Sequence, residues 1–389
     1  MLIKHTLLDD LDRFNNSAKP LDHYDEIWFM GDISESFAIR AASAAERLSH
    51  FAGVVVSNIQ PGKRARISSQ IGGTGYWRFS DFDGLLQIAR KKRVLLVDFN
   101  DSLAGCMFRK HFTSQGVDVC DYIRLFNDLQ ICHTYMAINE ERQYYIDHLD
   151  EFLALVDDLR DELSKQTLLA RIRTYFTLDR QWLMHVAQGH THFTNRRLSS
   201  SRLVVSNEEI FVDVGAAHGD TVASFFNFCR AEYREIHAFE PDSVNYNGLK
   251  KLCNVLPRSY CYHMGLSDES GCLSFKEEPS NRFGSRFEQT AKESVKTVPV
   301  SRLDDVIDAA TLIKIDVEGF ENRVISGAKR IIHDCAPAMH IAGYHYPNDL
   351  ISIVNAVKQI HSYKNVAIRH SDGSLYDTNI LFSDSQQFD

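Results

Sequence analysis

Residues 211–221, FVDVGAAHGDT, constrain the fold of this chain more than any other stretch. Apolar residues around one acid read as a buried strand, and two glycines four apart break it. Asp220 and Thr221 then open an apolar run suited to a helix. A strand passing through a glycine turn into a helix is a βα unit, and a series of such units makes a parallel sheet with helices on its faces. The turn lies at the carboxyl end of its strand, where open α/β sheets bind ligands.

The following segments continue the pattern. EIHAFEP (235–241) reads as a second strand ending at Glu240, and the helical VNYNGLKKLCNVL presents Tyr246, Leu249, Cys253 and Leu256 on one face. SYCYHMGLSD is a third strand ending near Asp268, TLIKIDVEGFE a fourth ending at Asp316 with a helix beginning near Glu318, and AMHIAGYH a fifth. The closing NVAIRHSDGSLYDTNILF reads as two strands joined by an Asp-Gly turn.

The first half alternates too: EIWFMG (26–31), GVVVSN (53–58) and RVLLVDFN (93–100) are apolar strands, with helix-forming segments after the first and from about residue 105 to Gly116, and a further strand from Val117. Only Gly31 follows the first strand. The turn lacks the glycines that admit a pyrophosphate, and IGGTGYW (71–77) follows no clear strand, so no dinucleotide is expected there. Between the halves, Leu149, Phe152, Leu153, Val156, Leu159 and Leu163 recur at helical spacing among charges. The expected fold class is α/β, divided as an N-terminal Rossmann-like domain (1–138), a helical connector (139–207) and a second Rossmann-like domain (208–389). The Ser-rich 191–209 supplies the boundary.

The ligand of the second domain follows from its turn. Glu240, at the next strand end, can accept hydrogen bonds from both hydroxyls of a ribose. Gly215 and Gly219 lack the Cβ that would keep a cofactor from the backbone. Alanine stands where the dinucleotide fingerprint has its central glycine. Asp213 repels a pyrophosphate and attracts a cation. S-adenosylmethionine, which is cationic and free of phosphate, fits these residues better than NAD.

With these residues in place, the second half resembles the FkbM-type S-adenosylmethionine-dependent methyltransferases. The resemblance runs over about 208–382 through FVDVGAAHGDT, IHAFEPDSVNYNGLK, GLSDESGCLSF, VPVSRLDDVI, LIKIDVEGFENRVISGA and YHYPNDL. The first domain and the connector are similar to those of the family's long members. The resemblance implies a class I methyltransferase sheet, mostly parallel and seven-stranded with a terminal antiparallel hairpin. It implies a cofactor turn of Asp213, Gly215, Ala216, His218, Gly219, Asp220 and Thr221, a ribose contact at Glu240 with Pro241 beside it, and Leu266, Ser267 and Asp268 near the adenine. Asp316 falls near the methyl group and acceptor. The implied acceptor is a hydroxyl of a sugar or other small metabolite, with Asp316, His345 and Asp349 as catalytic candidates. Arg369 and His370 are further polar candidates for the acceptor pocket.

A formal net charge of −9 argues against a nucleic-acid partner, and GKRAR (62–66) is too short to reverse it. No apolar run approaches a membrane span and MLIKHTLLDDLDRF carries acids within its apolar run, so a cytoplasmic location is expected. No metal site is expected: the eight cysteines show no zinc spacing, and a set of Asp316, His345 and Asp349 is the weaker reading of strand-end carboxylates. A nicotinamide oxidoreductase and a non-catalytic scaffold are the competing readings. The N-terminal domain can hold the acceptor, pair two subunits as a homodimer, or act only as a scaffold.

Overall fold

The computed structural model describes residues 2–31, 35–56, 77–101, 103–132, 135–188, 207–230, 232–276, 285–287 and 296–384. The basic run 62–66, most of IGGTGYW and nearly all of the Ser-rich boundary lie outside the described residues. Two compact units form: 1–153 with 167–187 and 372–375, and 154–166 with 188–371 and 376–389. The helices of the expected connector are divided between them.

The first unit is built on a parallel sheet of β1 (Glu26–Met30), β2 (Phe51–Val55), β3 (Phe79–Ser80), β4 (Val94–Asp98) and β5 (Asp118–Asp121) in the order β3-β2-β1-β4-β5. Both faces are covered, so β1 and β4 are buried along their whole length and their sequences are continuous apolar runs. At the carboxyl ends of β4 and β5 the chain places ions. Arg109 Nε donates to Asp98 at 2.5 Å and its Nη2 to Asp121 at 2.5 Å, while buried Arg180 Nε donates to Asp121 at 2.9 Å and stacks 4.2 Å over the Tyr122 ring. Buried charges persist only when paired in this way.

The second unit carries β6 (Ile210–Val214), β7 (Glu235–Phe239), β8 (Ser259–Tyr262), β9 (Gly265–Leu266), β10 (Gly271–Lys276), β11 (Arg286–Phe287), β12 (Lys296–Ser301), β13 (Leu312–Ile315), β14 (Ala338–Ala342), β15 (Asn365–His370) and β16 (Thr378–Ser383). Seven of these form the main sheet, ordered β15-β16-β14-β13-β6-β7-β8 and parallel except for β16, which runs antiparallel to both neighbours. This is the sheet and end hairpin that the resemblance implies. The expected third strand is divided: β8 extends the main sheet, while β9 leaves it to pair with β12 in a four-stranded sheet, β11-β10-β12-β9.

Strand order reverses at β6, with β7 on one side and β13 on the other. The turns after β6 and β13 meet there. Gly215 has φ +76°, and a Cβ on it would lie 1.9 Å from the Asp316 carbonyl oxygen. Gly219 has φ +95°, and a Cβ there would meet Leu252 at 2.7 Å. The glycines are therefore required by the chain's own packing as well as by any ligand. Gly215→Ala is expected to lower stability by about 2–3 kcal/mol. Gly271→Ala, where no atom lies within 4 Å of the added Cβ, should change it by less than about 0.5 kcal/mol. Urea unfolding of the two variants checks this.

Candidate active site

A cleft of about 970 Å³, its solvent-filled mouth included, opens over the carboxyl ends of β6, β7 and β13. The β6 turn is pinned from beside it: Gly215 and Ala216 both donate to the Phe239 carbonyl, at 3.1 and 3.0 Å. Ala217, in the left-handed region at φ +45°, donates its N–H to Glu240 Oε2 at 2.8 Å. Gly219 caps the helix Asp220–Phe228.

Glu240 is 5% exposed and lines the cleft. Its second oxygen, Oε1, accepts from the Asp242 N–H at 2.7 Å, and Asp242 in turn caps the helix Ser243–Cys253 through Val244 and Asn245. Each oxygen thus holds one backbone donor and keeps a lone pair for another. Burial pushes the Glu240 carboxyl up to about 7, against the pull of the two N–H groups.

Asp213 stands elsewhere than its expected role requires. Its carboxylate is fully buried and is not among the residues lining the cleft. Lys314, in register with it on β13, places Nζ 3.3 Å from Oδ1 and donates to the Gly215 carbonyl at 2.8 Å. Burial raises the Asp213 carboxyl to about 6 while Lys314 lowers it. The pair braces the turn from below. The carboxylates that face the cleft are Asp220, Glu240, Asp316, Glu318 and Asp377, so a cation is favoured there by other residues than Asp213.

The loop after β13 is folded by Glu321. This residue is 1% exposed, and its Oε1 accepts from the Val317 N–H at 3.0 Å and the Gly319 N–H at 3.3 Å. Glu318 (φ +57°) and Gly319 (φ +94°) are both left-handed, so the helix begins at Glu321 and not near Glu318. Asp316 receives the Tyr344 hydroxyl at 3.3 and 3.2 Å. His345 is 2% exposed, with Nδ1 3.1 Å from Glu321 and Nε2 3.5 Å from Asp316 and 3.6 Å from Glu318. Burial lowers its affinity for a proton, but the surrounding carboxylates outweigh this, Glu321 above all, and raise the imidazole to about 10.

The expected site residues therefore separate. Gly215, Asp220, Thr221, Glu240, Pro241, Leu266 and Asp316 line one cleft. Ala216 and Gly219 build the turn behind it, and His218 is exposed, with its Cβ 3.1 Å from where a Gly248 Cβ would stand. Ser267 is buried and donates to Asp268, which pairs with Arg323 outside the lining. Asp349 is buried, and its Oδ2 accepts from the N–H groups of His345 (2.9 Å) and Tyr346 (2.8 Å), so it holds the loop carrying His345. Arg369 and His370 are neither solvated nor in the lining: Arg369 pairs with Asp161 at 3.0 Å, and His370 Nδ1 meets Thr378. Lining residues that the sequence pattern does not single out include Lys314, Tyr344, Phe275, Arg286, Phe287 and Asp377. Lysine within LIKI, facing the acid of FVDV, is a legible signal once register is known; Phe275 and Phe287 come from a segment whose small sheet has no clear periodicity.

Glu240 has a consequence for stability. Its folded-state pKa lies above the usual value, so its contribution is fully present below about pH 4.5 and is lost as pH rises through about 7. Relative to Glu240→Gln, the wild type should lose on the order of 3 kcal/mol between pH 4.5 and 7.5. Urea unfolding at the two pH values measures the difference; parallel losses in both proteins would contradict it.

No curated protein matches the chain in sequence. The crystal structure of methyltransferase FkbM from Methylobacillus flagellatus KT is similar in fold, with a TM-score of 0.73 and 18% identity over 98% of this chain and 99% of that one. An rRNA methylase from Streptococcus thermophilus is more distant, with a TM-score of 0.31 and 11% identity over 48% of this chain and 94% of that one. The family model described as the methyltransferase FkbM domain matches residues 213–367. This span runs from Asp213 in β6 into β15, so the similarity to the methyltransferase FkbM domain lies within the second unit.

Proposed function

We propose that the protein is an S-adenosylmethionine-dependent methyltransferase acting on a hydroxyl of a sugar or other small metabolite. The observation that carries the reading is Glu240. It is a buried carboxylate at the end of β7, each oxygen tied by one backbone N–H, facing the same cleft as Gly215 and Asp316. Such a group is suited to two adjacent ribose hydroxyls. Pro241 and Leu266 add apolar lining beside it for a purine, and Asp220 offers negative charge near the β6 turn for an ammonium. No cationic side chain other than Lys314 and Arg286 lines the cleft among the described residues, and Lys314 is committed to Gly215 and Asp213. That composition suits a cationic cofactor and disfavours a pyrophosphate.

When bound, S-adenosylmethionine supplies a sulfonium methyl carbon open to displacement by an acceptor oxygen. The chain's own task is alignment and proton removal. Asp316 is the leading proton acceptor because it lines the cleft and is fixed by Tyr344. His345, held between carboxylates, orients Asp316, and Asp349 orients His345 through the backbone. Phe275 and Phe287 line the cleft wall, with Phe320 packed behind them, and present an apolar surface that keeps water from that side.

Calorimetric titration with S-adenosylmethionine, S-adenosylhomocysteine and NAD tests the reading. Binding of the first two, weakened at least tenfold by Glu240→Ala, with none of NAD, is expected. Binding of NAD alone would sink it. Once an acceptor is found, Asp316→Asn should lower kcat by about 100-fold or more while leaving S-adenosylhomocysteine affinity within a few fold. Unchanged kcat removes Asp316 from the chemistry.

A further inference from the structure

Among the described residues no ion pair holds Glu240. It is 5% exposed, and its side chain is met by two neutral donors, the N–H groups of Ala217 and Asp242. Asp213, buried on the neighbouring strand, has Lys314 3.3 Å away. Two N–H groups meet only part of the charge of a buried carboxylate. The charges around Glu240 do not supply the rest. Lys314 on β13 favours the ionised form, but it donates to Gly215 and pairs with Asp213, while Asp242 at the head of the next helix opposes ionisation. From the other elements around the cleft come Asp220 after the β6 turn, Asp316 and Glu318 after β13, Asp377 before β16, and the guanidinium of Arg286 on β11. The neighbouring β8 offers the Tyr262 carbonyl, which accepts from the Glu240 N–H at 3.1 Å. Burial, aided by Asp242, outweighs the two N–H groups and Lys314 and raises the carboxyl to about 7.

Ionisation decides what this carboxyl can hold. As a carboxylate it keeps a lone pair on each oxygen beyond the backbone N–H groups, a match for two ribose hydroxyls that both donate. As a carboxylic acid it turns one of those acceptors into a donor, and the match is lost. Ligand binding and proton loss at Glu240 therefore favour one another. We propose that the cleft takes its nucleoside with release of a proton from Glu240 to solvent, so that occupancy of the site is set by pH. The proton leaves the acid, and its electron pair stays on the carboxylate that accepts the two hydroxyl hydrogens. A ribose at Glu240 is what the methyltransferase reading supplies, and the linkage rests on it. Below about pH 7 the empty site is protonated and each nucleoside displaces a proton, so affinity falls as pH falls. Above about pH 8 the site is already ionised and affinity is level. Asp213 and Asp349 are also raised, to about 6 and about 7, but neither lines the cleft.

The test is calorimetric titration of the full-length protein with S-adenosylhomocysteine at pH 6, 7 and 8, each in two buffers of different ionisation enthalpy, which counts the protons released. The wild type is expected to bind about tenfold more weakly at pH 6 than at pH 8, releasing most of one proton per nucleoside at pH 6 and little at pH 8. Glu240→Gln, its fold checked by circular dichroism, should bind more weakly than the wild type at pH 8, without that proton release and with an affinity level across the three pH values to within about twofold. Level affinity without proton release in the wild type, or the same release in folded Glu240→Gln, overturns the proposal and leaves the methyltransferase reading in place. No binding of S-adenosylhomocysteine at any of the three pH values removes that reading and the proposal with it.

Discussion

The close approach of two turns organises the second unit. The chain leaves β6 at Gly215 and β13 at Asp316, and the backbones touch so closely that no side chain fits at residue 215. Because β6 and β13 are neighbours where strand order reverses, this contact sets the floor of the cleft. Everything else at the site is fastened to it. Lys314 ties the turn to β13 from beneath, the Phe239 carbonyl ties it to β7 from the side, and Glu240 ties the left-handed Ala217. A change in any of these would move the Glu240 side and the Asp316 side of the cleft together.

Electrostatics divides the cleft into two ends. At one, Glu240 is buried and only partly compensated by backbone N–H groups, which raises its pKa toward neutrality and makes it responsive to hydroxyl donors. At the other, carboxylates surround His345 and hold it positive in the absence of another cation. Negative potential is therefore concentrated where the methyl group and acceptor of the proposed reaction meet. The methyltransferase reading follows from carboxylates that the fold has drawn together, and it does not depend on Asp213, whose charge is met inside the sheet by Lys314.

Much of this is legible in the chain before folding is considered. FVDVGAAHGDT announces a strand, a turn and a helix because apolar spacing and paired glycines have few other solutions, and β6 with the helix Asp220–Phe228 is the result. Glu240 and Asp316 are found the same way, as acids directly beyond apolar strands. What is not legible depends on contacts across the sequence. The burial of Asp213 requires knowing that Lys314 lies in register beside it. The roles of Glu318 and Glu321 depend on two left-handed residues that delay the helix, and a local pattern places that helix too early. The four-stranded sheet is missed because β9 and β11 are two residues each, too short to show alternation. Asp349 reads as chemical from its place after YH, yet its carboxylate serves the backbone.

The most direct test of the account is a crystal structure of the full-length protein with S-adenosylhomocysteine bound. Both ribose hydroxyls are expected on the Glu240 carboxylate and the sulfur directed toward Asp316 and Tyr344, with Gly215 beneath the ligand. A nucleoside bound elsewhere, or in the cleft with its ribose away from Glu240, would contradict it.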